Sequence, residues 1–472
     1  MSGILIRGAE VHGVLCDVRV GWGRVLEIGH SLPRAGTEEE VLEAAGGALL
    51  PGLTDHHIHL FATAADLAST PCGPPDARDA AELGEVLRRA LPDQHGWIRG
   101  VRYHESVAGD LDADGLDLLR DDLPVRVQHR SGALWVLNSR AAEAVGLDSA
   151  DHPGVERNAE GRPTGRVWRA DAWLRTRLPH TGPPSLKGLG RLLAGYGITA
   201  VTDASPALDT DAVGAITAAM VRGDVPQHVH LLGAPLAPVA DAGANRRAPE
   251  PGPWKIVLAD SDLPSFDELT EAVTTAHRAS RPVAVHCVTR ESLLLLLAAI
   301  EEAGVMPGDR LEHAALIPAD VIPTIRDLGL RVVTQPGFLA DRGDDYLLGT
   351  PAAEHGDLYR CASLRAAGVP VALSSDAPYG PLDPWAVMRA AVRRRTRAGE
   401  VVGPRERLTA ARALEGYLSP SRYPGDAPRD VRVGSAADLV LLHAPLPEAL
   451  AALSAELVRV CLVSSKAVAP GG

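Results

Sequence analysis

Hydrophobic positions fall into two kinds of run along this chain. Near both ends they alternate with polar residues over short stretches broken by turn residues. The N-terminal examples are "GILIRGAEVHG", "CDVRVGWGRVLEIG" and "GGALLPG"; the C-terminal ones are "VGSAADLVLLHA" and "VRVCLVSSKAVA", which flank a helical Ala/Leu/Glu segment. Alternation with a period of two marks strands buried on one face, so both ends are expected to supply strands to one small β unit. Between them the apolar runs are continuous and end in polar residues: "GITAVTDA", "HVHLLG", "KIVLAD", "VAVHCV", "RLEHA", "RVVTQP" and "VALSSDAP". Amphipathic helical patterns such as "SFDELTEAVTTAHRA" and "ESLLLLLAAIEEAG" separate them. With the strand that leads to His57 the count is eight, the number that closes a (β/α)8 barrel of the TIM type, an α/β fold.

One interval breaks this rhythm. Residues 66–185, after the first of these strands, are far more than a βα unit needs, and they contain strand-like "GWIRGVRY" and "PVRVQHRSGALWVLNS". They read as a domain inserted over the mouth of the barrel. The segment "LAPVADAGANRRAPEPGP" reads as a mobile loop.

Composition narrows the partners. A formal charge of −13 over 472 residues lacks the basic footprint that nucleic acid requires. The start "MSGILIRGAEVHG" shows no secretory signal, and the most apolar run, "SLLLLLAAI", is too short to span a bilayer and reads as a buried helix. No membrane partner is therefore expected. Five scattered cysteines without a Cys-x-x-Cys pair suit a reducing cytoplasm. Lysine occurs only at Lys187, Lys255 and Lys466, so arginine supplies nearly all positive charge, and a lysine inside a strand asks for a specific reason. Homo-oligomerisation is left open.

The candidate chemistry begins at "LLPGLTDHHIHLFA". Alternate side chains of a strand share a face, so His57 and His59 point one way and His56 the other. Barrel function sits at the C-terminal strand ends, which here carry His57 and His59, Lys255, His286, His313 and Asp376. Each histidine alone is more often an ordinary buried side chain; the set in barrel register points to a divalent ion, with the lysine a ligand only if modified. His228 and His230 repeat the His-x-His spacing but begin their strand, a structural position. Cys287 faces away from His286 and reads as packing. Asp55, two residues before His57, is placed to orient an imidazole from behind the metal shell. Asp376 is the expected proton carrier between water and leaving nitrogen. Trp97, Tyr103, Trp135 and Trp168 concentrate aromatics in the insertion, so Trp97, Tyr103, His104 and Trp135 are expected in the substrate pocket. His104, Glu105 and His129 are the alternative bases.

"PGLTDHHIH", "VHC", "LEHA" and "SSDAP", framed by "ILIRGAEVHG" and "GSAADLVLL", resemble the amidohydrolase superfamily. More narrowly, "WIRGVRY", "LNSRA", "GRPTG", "RLEHAALIPADVI", "TQPGFL" and "SSDAPYGPLDPW" are similar to the branch that contains N-substituted formamide deformylases. The resemblance implies a metal-bearing barrel over residues 53–404, a composite β-sandwich from residues 1–52 and 405–472, and a carboxylated Lys255 bridging two ions. It further implies hydrolysis of a non-peptide C–N bond of a small molecule, on one or two divalent ions with zinc first among them. Ester or lactone hydrolysis, deamination of a heterocycle on the same site, and an inactive barrel kept for binding or assembly are the alternatives.

Overall fold

Residues that alternate in hydrophobicity pair edge to edge near the N-terminus. Ile4–Val11 lies antiparallel to Val14–Gly21 and parallel to Glu40–Glu43, with Arg24–Gly29 at the far edge. A second sheet joins three strands from the other end of the chain, Lys466–Val468, Val458–Val463 and Leu439–Leu442, to Leu49–Pro51. Ile4, Ile6, Val18 and Leu49 share one buried cluster with Leu439, Leu441 and Leu462, so both ends of the chain make the same core. The computed structural model describes residues 3–179, 182–236 and 247–468. Most of the segment read as a loop, residues 237–246, lies outside them.

The eight continuous runs are all strands: β1 (Leu53–Ile58), β2 (Ile198–Asp203), β3 (His228–Leu231), β4 (Trp254–Val257), β5 (Val283–Cys287), β6 (Arg310–His313), β7 (Arg331–Thr334) and β8 (Val371–Leu373). β1, β2 and β3 pair in parallel, and so do β4 through β8. Backbone hydrogen bonds join the two sets: Lys255 N donates to Leu232 O at 3.1 Å, Asp376 N to His57 O at 2.8 Å, and His59 N to Ala377 O at 2.9 Å. Every residue of β1 is buried, as expected for a parallel strand covered on both faces. The helices between strands carry their own start signals. Ser265 and Glu268 form a reciprocal cap on Phe266–Arg278, and Thr289 with Ser292 does the same for Arg290–Ala303. That second helix contains "SLLLLLAAI"; Leu293, Leu296, Leu297 and Ile300 are buried at helical spacing while Leu294 faces out. Among the described residues no helix is long and apolar enough to cross a membrane.

The chain divides into two compact units, Met1–Leu60 with Ser185–Gly472, and Phe61–Pro184. The second is built on its own six-stranded sheet, in the order Val155–Arg157, Pro163–Trp168, Leu134–Leu137, Val125–His129, Ile98–Tyr103, Thr70–Pro71.

Candidate metal centre

β1 delivers His57 at its end and His59 just beyond, and the segment after β8 delivers Asp376. One ligand atom from each of His57, His59 and Asp376 can be chosen so that all lie within 4.8 Å of one another. Asp376 Oδ1 is 3.1 Å from His59 Nε2 and 3.4 Å from His57 Nε2. His313, at the end of β6, brings its ring centroid to 4.7 Å from that of His57 and 4.4 Å from that of His286 on β5. Lys255 on β4 is buried, and its charge is felt by His57, His286 and His313. The backbone turns sharply at two of these positions: His313 has φ +66° and Asp376 φ +52°, a left-handed conformation uncommon outside glycine.

The donor set fits a cation. His57 Nε2 and Asp376 Oδ1 are buried with no hydrogen-bond partner among the described residues, an expense that an ion between them would relieve. Burial, reinforced by the Lys255 charge, holds the His57 imidazole well below its ordinary pKa. Burial likewise lowers His286 to about 4 and His313 to about 3. All three rings are thus neutral near pH 7, the form that ligates. Burial works against the Asp376 carboxylate, yet His57, His313 and His59 together hold it far below the usual carboxylate range. Burial also lowers the Lys255 ammonium.

The model of the amidohydrolase family matches residues 40–464. The chain belongs to the amidohydrolase family. It is a hydrolase of C–N bonds other than peptide bonds, as the motif resemblance implied. It is similar to an N-substituted formamide deformylase of Arthrobacter pascens, 26% identical, with 90% of this chain and 89% of that protein covered. Its fold is similar to those of two uncharacterized metal-dependent hydrolases. For the one from Pyrococcus horikoshii the TM-score is 0.73 at 20% identity, covering 94% of this chain and 97% of the other. For the one from Pyrococcus furiosus it is 0.70 at 20% identity, covering 94% and 98%.

Two residues of this amidohydrolase that the sequence reading passed over set the orientation of the rings. His57 Nδ1–H donates to the Glu312 carboxylate, which also accepts from Arg310 Nε. His313 Nδ1–H donates to Gln335 Oε1 at 2.9 Å, and Gln335 Nε2 in turn donates to Ser374 Oγ at 2.9 Å. Both stood in quoted motifs, Glu312 beside His313 in "RLEHA" and Gln335 at the end of β7 in "RVVTQP". Their residue types, a carboxylate and an amide able to hold an imidazole proton, are the signal that marks them in the sequence. Asp55 does not hold an imidazole. Its Oδ2 accepts from Ser375 Oγ at 2.5 Å, and its Oδ1 accepts from Ser375 N at 3.1 Å and His57 N at 3.3 Å. It ties β1 to the β8 loop, since its short side chain is spent on backbone next to it; burial pushes its carboxyl up to about 6. His56 turns from the cluster to Ser419 Oγ at 3.1 Å, and His228 pairs with Asp438 at 3.1 Å, both as read. The Cys287 thiol is buried, which raises it to about 12.

Within the Phe61–Pro184 unit, Trp97, Tyr103 and Trp135 are buried. Trp97 and Trp135 are in one core cluster of the Phe61–Pro184 unit and Tyr103 in the other. Trp135 Nε1 donates to Asp171 Oδ1 at 2.8 Å, and Tyr103 OH to Gly109 O at 2.7 Å. A unit of this size needs large side chains to fill its core, and Trp97, Tyr103 and Trp135 supply them, while Trp168 is exposed. His104 Nδ1 accepts from Ser106 N at 3.2 Å, and its Nε2 lies 3.4 Å from Glu105; His129 Nε2 meets the same carboxylate oxygen at 3.2 Å.

Proposed function

We propose that this amidohydrolase holds one or two divalent ions on His57, His59, Lys255, His286, His313 and Asp376, and cleaves an amide, formamide or cyclic amide of a small molecule with an activated water. Zinc is the first candidate, because imidazoles with a carboxylate suit it. The observation that carries the reading is the pair of buried, unpartnered atoms His57 Nε2 and Asp376 Oδ1, facing each other beside His59. When bound, the ion polarises the substrate carbonyl and acidifies water. The remaining work belongs to the chain. Glu312 and Gln335 hold the Nδ1 protons of His57 and His313 and so leave their Nε2 lone pairs for ligation. Asp376, kept anionic by its imidazole neighbours, takes the proton of the attacking water and passes it to the leaving nitrogen.

Lys255 is assigned a carbamate: its neutral amine adds to carbon dioxide and releases a proton, and the product offers two oxygens where an ammonium would repel a cation. In support, burial favours the neutral amine, and among the described residues no carboxylate comes within ion-pair distance of it. Asp260, an obvious partner in sequence, accepts from Thr289 Oγ1 at 2.7 Å. The same reading places the eight parallel strands in one barrel over residues 53–404 with residues 66–185 inserted, beside a β-sandwich of residues 1–52 and 405–472. The backbone bonds from Asp376 and His59 across β8 and β1 support it.

N-substituted formamides are the first substrates to try, given the likeness to the deformylase. Protein purified without chelator should carry one or two divalent ions per chain and release amine from such substrates. Chelation should stop turnover and added metal restore it. Lys255→Arg should lose metal despite keeping its charge. Full activity in metal-free protein would refute the proposal.

A further inference from the structure

A cavity of about 460 Å³ opens at the start of β3, the end of the strands opposite to His57 and Asp376. It is lined from the helix Lys187–Gly195, from residues 220–228 and from residues 463–468. Among the described residues, the cations Lys187, Arg191, Arg222, Arg247 and Lys466 line it together with one carboxylate, Asp224, which Arg222 engages at 2.8 Å; Arg247 also donates to Met220 O at 3.5 Å. Among the described residues Lys187, Arg191 and Lys466 make no ion pair, although the chain carries 60 acidic residues against 47 basic ones. Like charges gathered around a concave surface repel each other and focus a positive potential, a cost that an anion removes. The chain has three lysines in all, and two of them are here.

Two further features describe what the anion is attached to. Met220, Val225, Pro226 and Val463 supply apolar lining, and the volume is that of an organic molecule and not of an inorganic ion. Gln227, buried in the wall, donates to Gly190 O at 2.9 Å and Ile198 O at 3.3 Å and so holds the start of β3 against the helix Lys187–Gly195.

We infer that this cavity binds an organic phosphate of nucleotide size, its phosphates on Lys187, Arg191 and Lys466 and an uncharged ring against the apolar wall of Met220, Val225, Pro226 and Val463. The inference is independent of the reaction at the metal centre. Calorimetric titration of the whole protein with ADP, adenosine and pyrophosphate, in buffer without added divalent metal, tests it. ADP should bind more tightly than either fragment, and raising the salt should weaken it. The double variant Lys187→Ala/Lys466→Ala should lose at least about tenfold in ADP affinity. Both lysines are exposed, so its fold should persist, which circular dichroism checks; Arg191→Ala should weaken binding as well. Absence of ADP binding to the wild type, an unchanged affinity in the double variant, which would place the ligand elsewhere, the metal centre included, or pyrophosphate binding as tightly as ADP would each overturn the inference.

Discussion

Asp376 is held between imidazoles by a left-handed backbone turn, and its neighbours make protonation there costly. Asp376→Asn keeps the shape and one carbonyl oxygen but removes the carboxylate proposed as the base. Metal should stay while kcat falls by roughly 10²–10⁴-fold, read from steady-state kinetics beside elemental analysis. Glu312 acts one contact further out, through the His57 ring. Glu312→Gln should weaken zinc affinity by about 10–100-fold, measured against a competing chelator, with little change in kcat of the fully loaded enzyme. How readable these residues were follows from chemistry. His57, His59, His286, His313 and Asp376 stand at strand ends and are ligand types, so position and residue type agreed. Glu312 was hidden because it precedes His313 on the same strand, where alternation would turn it away. Its partner His57 belongs to another strand and is 255 positions distant.

At the scale of elements, the parallel strands were legible because burial on both faces leaves continuous apolar runs, as in β1 and β8. The Phe61–Pro184 unit was less so. Its strands are short and mixed in direction, and an aromatic in such a strand fills a core as readily as it lines a pocket. Trp135 illustrates the point, with its ring stacked 4.9 Å from the Arg126 guanidinium and its indole N–H engaged by Asp171. Trp135→Ala should cost the unit about 3–5 kcal/mol, seen as an early urea transition, while metal content stays at the wild-type level.

For the whole molecule, the neutral buried histidines set the acid limit. An unfolded chain takes up protons on histidine near the ordinary value of 6.5, whereas folded His286 and His313 do so only at about 4 and about 3. Between these values the unfolded state binds more protons, so stability present above pH 6.5 declines as the pH falls through 4. Urea midpoints of metal-free protein at a series of pH values should show that slope, and His286→Asn should flatten it. The pairing of Leu49–Pro51 with Leu439–Leu442 has a consequence in time as well as in space. The strand that seats β1 is among the first made, and its partner is among the last. At roughly 5–20 residues per second of ribosomal synthesis, Pro51 waits on the order of tens of seconds for Leu439. The nascent chain must carry an unpaired apolar edge for that interval, as a client for chaperones or a seed for aggregation. A premature stop that removes only the last strands would therefore take away the mooring of the strand that carries His57.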